Sequence, residues 1–138
     1  MTTFSVLPEA IKNAVETALG DKALDVSIAL DEVNVTVRAD DYHAAALILR
    51  DDSACSFEQL IDLCAVDYSE FGAGDWDGAR FCVVCHLLSV ARNQRIRLKV
   101  FVTDDELPIL PTVTDVWSSA NWFEREAFDL FGVVFSGH

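Results

Sequence analysis

The sequence is poor in the residues that interrupt regular structure, with six glycines and three prolines among 138 residues. Its apolar fraction is 51%, which is too high for a disordered chain and enough for a sizeable core. A chain of this length ordinarily folds as one domain. We therefore expect a single folded domain over residues 1–138.

Long apolar runs are also missing. No stretch approaches the roughly 20 consecutive apolar residues that a membrane-spanning helix requires. The first residues lack the basic and then apolar pattern of a secretory signal peptide. We expect a soluble chain that contacts a membrane only through other proteins.

Positive charge is scarce, since ten Lys and Arg residues stand against 23 Asp and Glu, for a net charge of −13. Nucleic-acid binding depends on basic residues that neutralise phosphates, so this class of partner is excluded. The charge is also uneven. Residues 40–77 contain ten acidic residues and one Arg, residues 78–103 contain five basic residues and no acidic one, and residues 104–138 contain seven acidic residues and one Arg.

Motifs for cofactor chemistry are missing as well. The sequence has no glycine-rich phosphate loop, no nucleophile elbow and no dinucleotide fingerprint. Cys82 and Cys85, followed by His86, have the spacing of a zinc or redox pair, but residues three apart on a strand point to opposite faces. Cys55 and Cys64 lack the spacing to complete an iron–sulfur site. We expect buried structural cysteines, and a free-standing cytosolic thiol or zinc protein remains an alternative.

Apolar periodicity predicts the order of the elements. The predicted elements are a helix at 8–19 ended by Gly20, a hairpin with strands at 24–30 and 33–37, a helix at 40–50 that begins with cap-forming acids, a helix at 57–63 followed by a strand at 64–68, a flexible loop at 71–79, and a strand at 81–90 buried on both faces. This order predicts an α+β fold, with a mixed or antiparallel sheet and helices packed mainly on one face.

The next strand, at 95–102, alternates regularly between apolar and basic residues. Its apolar residues face the core, and Arg95, Arg97 and Lys99 lie on the other face, about 7 Å apart. We call these three residues the basic stripe. They either protect the edge of a sheet from association or form a docking surface for acidic groups, on a partner or on the C-terminal helix.

The most informative segment is 117–138, for which we predict a helix capped by Thr112 or Thr114 and ended by Gly132. A helical wheel places eight apolar residues on one arc: Val116, Trp117, Ala120, Phe123, Ala127, Phe128, Leu130 and Phe131. Glu124 falls in the middle of this arc, and a lone buried charge is costly. We therefore hypothesise that Glu124 forms a buried or interfacial ion pair.

The opposite side of the same helix carries Trp122 beside Arg125, Glu126 and Asp129. A large aromatic residue on the polar side indicates a helix that is contacted on both faces. We expect Trp122 and Arg125 to face a partner, which is typical of an assembly component.

These residues also carry a family resemblance. Glu124-Arg125-Glu126, followed after two residues by Asp129-Leu130-Phe131 and after six more by His138, resembles the signature of the C-subunit family of NADH-quinone oxidoreductase. The similarity extends over about residues 57–138.

The resemblance implies a structural subunit in the peripheral arm of respiratory complex I. Members of this family support a hydrogenase-like large subunit and touch a small cluster-bearing subunit. FMN, the iron–sulfur clusters and the quinone are expected in partner subunits, and none in this chain. The resemblance further implies a peripheral location on the cytoplasmic face of the bacterial inner membrane, or the matrix side in mitochondria.

One departure and one alternative accompany this resemblance. The family pattern continues beyond the position of His138 with a proline and a basic tail, so we expect a C-terminally truncated product or an isolated domain. The alternative is the equivalent subunit of a related membrane-bound hydrogenase or dehydrogenase.

Overall fold

The computed structural model describes residues 7–68, 79–104 and 106–138. The helices are α1 (Pro8–Leu19), α2 (Tyr42–Asp51) and α3 (Ala120–Phe131), and the strands are β1 (Ala23–Ala29), β2 (Glu32–Val37), β3 (Gln59–Asp67), β4 (Phe81–Ser89), β5 (Gln94–Phe101), β6 (Ile109–Pro111) and β7 (Val134–Ser136). The fold is α+β, as predicted. The loop predicted at 71–79 lies, except for its last residue, outside the described residues.

Five strands form one sheet in the order β1-β2-β5-β4-β3. The β2–β5 pair is parallel and the other pairs are antiparallel, so the sheet is mixed. One face, formed by residues such as Val35, Leu98 and Leu63, joins the buried residues of α1 and α2 in the core. We call the opposite face, which includes Asn34 and Arg97, the outer face. The predicted packing of helices mainly on one face is confirmed.

The first half of the chain follows its local sequence closely. Helix α1 has the predicted bounds, with Gly20 at its end at a positive φ of 55°. Leu30 and Asp31, with φ 52° and 64°, form the tight turn of the predicted hairpin between β1 and β2. Two consecutive residues at positive φ match the right-handed twist of paired strands.

The acidic residues before α2 were expected to cap this helix. Asp41, at the N-cap position, makes no side-chain capping hydrogen bond.

The helix predicted at 57–63 is wrong. This segment belongs to β3, which begins at Gln59 and pairs with β4 along its length, with one irregularity between Leu60 and Asp62. Leu60, Leu63 and Ala65 are buried. The pairing with β4 overrides the local pattern, because burial against a neighbouring strand outweighs intrinsic preference.

The final helix begins later than predicted. Helix α3 begins at Ala120, and Ser119 at its N-cap makes no side-chain capping hydrogen bond. Val116 and Trp117 are buried, but they precede the helix. Thr112 does not cap α3, because its hydroxyl group donates a hydrogen bond to the side chain of Glu124 instead. The predicted end is confirmed, since Gly132 follows the helix with φ 75°.

Strands β6 and β7 pair in parallel, and α3 connects them. We call residues 109–138, which hold this β–α–β unit, the C-terminal module. Helix α3 also packs against β3, which places the module along one edge of the sheet. Among the described residues, no helix has the length and apolar character needed to cross a membrane.

Candidate functional site

The C-terminal module is organised around the carboxylate of Glu124, which is 1% exposed. The Thr112 hydroxyl donates to Glu124 Oε1 at 2.6 Å, and the Val113 backbone N–H donates to Oε2 at 2.9 Å. The carboxyl ends of parallel strands lie at one edge, so the segment after β6 and His138 after β7 both reach this side chain. His138 Nε2 lies 4.0 Å from Oε1.

The predicted ion pair of Glu124 therefore takes a different form. Its closest partners are a neutral hydroxyl group and a backbone amide, and the ring of His138 is more distant. Burial raises the pKa of Glu124, while the hydrogen bonds from Thr112 and Val113 act in the opposite direction. Each carboxylate oxygen of Glu124 accepts a hydrogen bond, and these two bonds offset the free-energy cost of burying the group.

The residues before α3 fasten the module to the rest of the chain. Trp117 Nε1 donates to the Phe57 carbonyl at 2.9 Å, and Ser119 Oγ donates to the Leu60 carbonyl at 2.8 Å. Arg50, at the end of α2, donates to the Val116 carbonyl at 3.1 Å. Contacts with both the sheet and α2 therefore fix the orientation of α3.

Helix α3 exposes much of its apolar surface. Trp122 is 67% exposed, as predicted for the polar side, but Phe128 is 53%, Leu130 is 68% and Phe131 is 37% exposed. The sequence places these last three residues on the apolar arc of the helix, and the structure leaves them exposed. The helix approaches the sheet through its small residues, Ala120 and Ala127, together with Glu124, and the large residues of the last turns reach beyond it. We call Trp122, Phe128, Leu130 and Phe131 the α3 patch.

A cavity of about 260 Å³ opens beside the α3 patch. Phe128, Val134 and Phe135 supply its apolar lining, and the other lining residues are charged or polar: Glu124, Arg125, Asp129 and His138. A recess of this kind, apolar with a few fixed polar groups, is typical of places where a partner inserts an anchoring side chain.

The charged residues of the signature surround this surface. Arg125, Glu126 and Asp129 are exposed on α3. In the ranges that the structure describes, Arg125 forms no ion pair with Asp129, although the two are one helical turn apart. Charges that are left unpaired within the chain remain available to a partner at the rim of an interface.

The cysteine pair does not form a site. Cys82 pairs with Phe101 and Cys85 with Leu98, so the two sulfur atoms lie on opposite faces of the sheet. Burial raises the pKa of Cys82 to about 11 and that of Cys85 to about 12, which opposes thiolate chemistry. Among the described residues, no group of three or more His, Cys, Asp or Glu side chains could hold a metal ion.

The basic stripe lies on β5, which is the middle strand of the five. The edge-protection interpretation of Arg95, Arg97 and Lys99 is therefore wrong, because a central strand has no free edge. The stripe belongs to the outer face, away from α1 and α2.

Sequence reasoning missed the partners of Glu124 and one buried contact. The Tyr42 hydroxyl group lies 3.4 Å from Cys85 Sγ in the core, and burial raises the pKa of both groups. Thr112 and Glu124 are twelve residues apart with a turn between them, so no helical or strand period connects them. An acidic residue on the apolar side of a predicted helix indicates that a hydrogen-bond donor lies nearby. The sequence does not identify which residue supplies that donor.

Comparisons with known proteins identify the family of the chain. A profile of the respiratory-chain NADH dehydrogenase 30 Kd subunit matches residues 35–138. The C subunit of the NADH-quinone oxidoreductase of a Polaromonas species is 55% identical over the whole chain, and that of Albidiferax ferrireducens is 59% identical. In both cases the chain spans 68% of the relative's length.

Two solved structures share the fold. The trypsin-resistant fragment (1-134) of Nqo5 is 32% identical, with a TM-score of 0.76 over 94% of this chain and 97% of that one. A chain from an archaeal membrane-bound sulfane sulfur reductase is 24% identical, with a TM-score of 0.72 over 94% of this chain and 70% of its own, and it shows the fold alone. The sequence match and the shared fold together show that the chain belongs to the family of the 30 Kd subunit of respiratory-chain NADH dehydrogenase.

Proposed function

We propose that this subunit of NADH-quinone oxidoreductase is a non-catalytic structural component of the peripheral arm. In this role the chain supports the hydrogenase-like large subunit near the quinone site and touches the small cluster-bearing subunit. FMN, the iron–sulfur clusters and the quinone belong to the partner subunits. The chain lies on the cytoplasmic face of the bacterial inner membrane and reaches the membrane only through the complex.

The observation that carries this proposal is the α3 patch. Four large apolar side chains are exposed on different sides of a short helix, and such groups are unfavourable in water unless partners cover them. Aromatic residues and Arg are also the side chains that contribute most to binding energy at protein interfaces.

The interior of the C-terminal module explains how this patch is presented. Glu124 joins α3 to the segment after β6 through two hydrogen bonds, and Trp117 joins the segment before α3 to the segment before β3. A surface held in one orientation loses less entropy on binding, so rigidity adds to affinity. The signature residues thus divide into one that holds the helix, Glu124, and others that meet the partner, such as Arg125. Trp122, which lies outside the signature, meets the partner as well.

The test is an affinity purification from detergent-solubilised membranes of the source cell, with partners identified by mass spectrometry. The unchanged chain is expected to recover the hydrogenase-like large subunit and a small cluster-bearing subunit. The double variant Trp122→Ser/Phe128→Ser should lose both partners and keep its melting temperature, because these side chains are exposed.

A matched control removes exposed apolar residues elsewhere. Leu24 and Leu30, at the first hairpin, are 50% and 97% exposed, and Leu24→Ser/Leu30→Ser should recover both partners as the unchanged chain does. Equal recovery by the α3 double variant would overturn the proposal. Recovery of hydrogenase components without an NADH-oxidising module would point instead to a related hydrogenase complex.

A further inference from the structure

One side of helix α3 combines two acidic residues with two of its large exposed apolar residues. Because each residue turns the helix by about 100°, Trp122, Glu126, Asp129 and Leu130 lie within about 100° of one another around its axis. We call these four residues the α3 ridge. Phe128 lies about 100° beyond Asp129, on the side of the cavity described above. The α3 ridge and that cavity are therefore different surfaces of the same helix.

The polar groups of the α3 ridge have no partner within the described part of the chain. The carboxylates of Glu126 and Asp129 are exposed and form no hydrogen bond or ion pair there. The indole N–H of Trp122 donates to no acceptor in the same residues, whereas that of Trp117 donates to the Phe57 carbonyl. The ridge thus offers two carboxylates and one donor to another molecule.

A recess of about 410 Å³ lies along the α3 ridge, lined by the four ridge residues and Arg125. Two carboxylates and one guanidinium group give this lining a formal charge of −1. The neighbouring part of β3 is acidic as well. The pKa of Cys64 is raised by burial first, and then by the nearby carboxylates of Asp62 and Glu126. The charges around the recess therefore favour a cation over an anion.

We propose that the α3 ridge docks a basic amphipathic segment of a partner protein. One Arg or Lys of that segment enters the recess, pairs with Glu126 and Asp129, and lies against the ring of Trp122. The faces of aromatic rings attract cations, and Trp does so most strongly. Apolar residues of the segment cover Leu130. The inference rests on the proposed structural role of the chain and specifies the chemistry of one of its contacts.

Charge favours this occupant over the others that could cover the α3 ridge. The chain carries a net charge of −13, and residues 104–138 contain seven acidic residues and one Arg, so a basic segment is attracted over a long range. A second copy of the chain would place acidic residues against acidic residues, and an anionic membrane surface would be repelled. The ridge also has its acidic residues between two apolar ends, which fits a helix with a cation between apolar residues.

The test is a titration of the purified chain with a synthetic helical peptide of about 16 residues, long enough to form a helix when bound. Its Ala- and Gln-rich sequence carries Leu, Arg and Leu at four-residue spacing. The two Leu residues then lie about 12 Å apart, as do Trp122 and Leu130 along α3. The indole N–H resonances of Trp122 and Trp117 are followed by NMR. We expect the Trp122 resonance to shift and the Trp117 resonance to stay.

Two controls separate the α3 ridge from general charge. The variant Glu126→Gln/Asp129→Asn should weaken peptide binding about fivefold or more, since it removes both carboxylates that the cation meets. It should keep its melting temperature, because both residues are exposed. The variant Glu9→Gln/Asp31→Asn makes the same change in net charge at exposed residues of α1 and the first hairpin, and it should change the affinity less than about twofold.

Four results of the titration would overturn the inference. These are an unmoved Trp122 resonance, equal binding of a peptide with Glu in place of Arg, equal weakening by the two double variants, and a concentration-dependent dimer formed through the ridge.

The affinity purification distinguishes this inference from the proposed function. The variant Glu126→Lys/Asp129→Lys should lose the partner that docks on the α3 ridge, because it places like charges against the basic segment. If this variant recovers both partners while Trp122→Ser/Phe128→Ser loses them, the proposed function stands and the inference is wrong. If Trp122→Ser/Phe128→Ser recovers both partners, the proposed function is wrong, and the inference falls with it as the chemistry of a contact in this complex.

Discussion

Helices α1 and α3 both have twelve residues, but they use their apolar residues in opposite ways. Helix α1 buries Ile11, Val15 and Leu19 in the core. Helix α3 buries two alanines and Glu124 and exposes the large side chains of the α3 patch. The first helix stabilises the fold through its apolar residues. The second is held by Glu124, its two buried alanines and the half-buried Phe123, which leaves the residues of the α3 patch free for a partner.

The sharpest way to test this contrast is to place the same charge on each helix. Val15→Asp buries a carboxylate in the core and should cost about 4 kcal/mol or more, because Val15 is fully buried. Leu130→Asp should change the free energy of unfolding by no more than about 0.5 kcal/mol, because Leu130 is 68% exposed. Urea denaturation measures both, and similar losses in the two variants would show that α3 is a core helix as well.

Removing the polar group that holds α3 should have the next largest effect. Glu124→Ala leaves the buried Val113 N–H without an acceptor and opens a cavity, at a cost of about 3 kcal/mol. Glu124→Gln can accept from Val113 and donate to Thr112, so it should lose about 1 kcal/mol. Thermal and urea denaturation give both values, and a melting temperature unchanged in Glu124→Ala would refute this role.

Trp117, just before α3, and Trp122, within it, allow the same comparison with smaller expected changes in the free energy of unfolding. Trp117→Phe loses the hydrogen bond to the Phe57 carbonyl and some packing, at a cost of about 1–2 kcal/mol. Trp122→Phe should stay within about 0.5 kcal/mol of the unchanged chain, since its side chain is mostly exposed. The urea midpoints of the two variants measure this difference. A larger loss of stability in Trp122→Phe than in Trp117→Phe would contradict the assignment of Trp117 as the buried residue and Trp122 as the exposed one.

The smallest effect concerns pH. Burial raises the pKa of folded Glu124 above its ordinary value of 4.5, so the folded chain holds this proton more tightly than the unfolded chain. Protonation therefore stabilises the fold fully below about pH 4.5, and this contribution is lost as pH rises through the raised pKa. Subtracting the stability of Glu124→Gln from that of the unchanged chain isolates this group. This difference in the free energy of unfolding should fall as pH rises from acid to neutral. A difference that rises with pH would contradict a raised pKa for Glu124.

The sequence predicted the regions in which local pattern and tertiary environment agree. Helix α1, the first hairpin, the alternation of β5 and the glycine that ends α3 follow from period, turn chemistry and positive φ. The burial of Glu124 was also predictable, because its position within an apolar arc depends only on the helical period.

Prediction failed where a distant partner decides the local structure. The segment at 57–63 resembles a helix, but pairing with β4 makes it a strand. Thr112 resembles a cap, but its hydroxyl group is taken by Glu124. The helical period placed Phe128, Leu130 and Phe131 on the apolar arc but did not show that they are exposed, because the helix extends beyond the surface that would cover them.

Composition, periodicity and motif order are properties of the chain alone, and they were enough to predict the fold class, the family and the residues that form the signature. Only the tertiary structure decided which of those residues hold the module and which face outward. It also decided that the basic stripe lies on a central strand with one buried donor unpaired. The reason is physical, because burial and hydrogen-bond partners depend on which segments pack together in space, and sequence period describes only the faces of a single element.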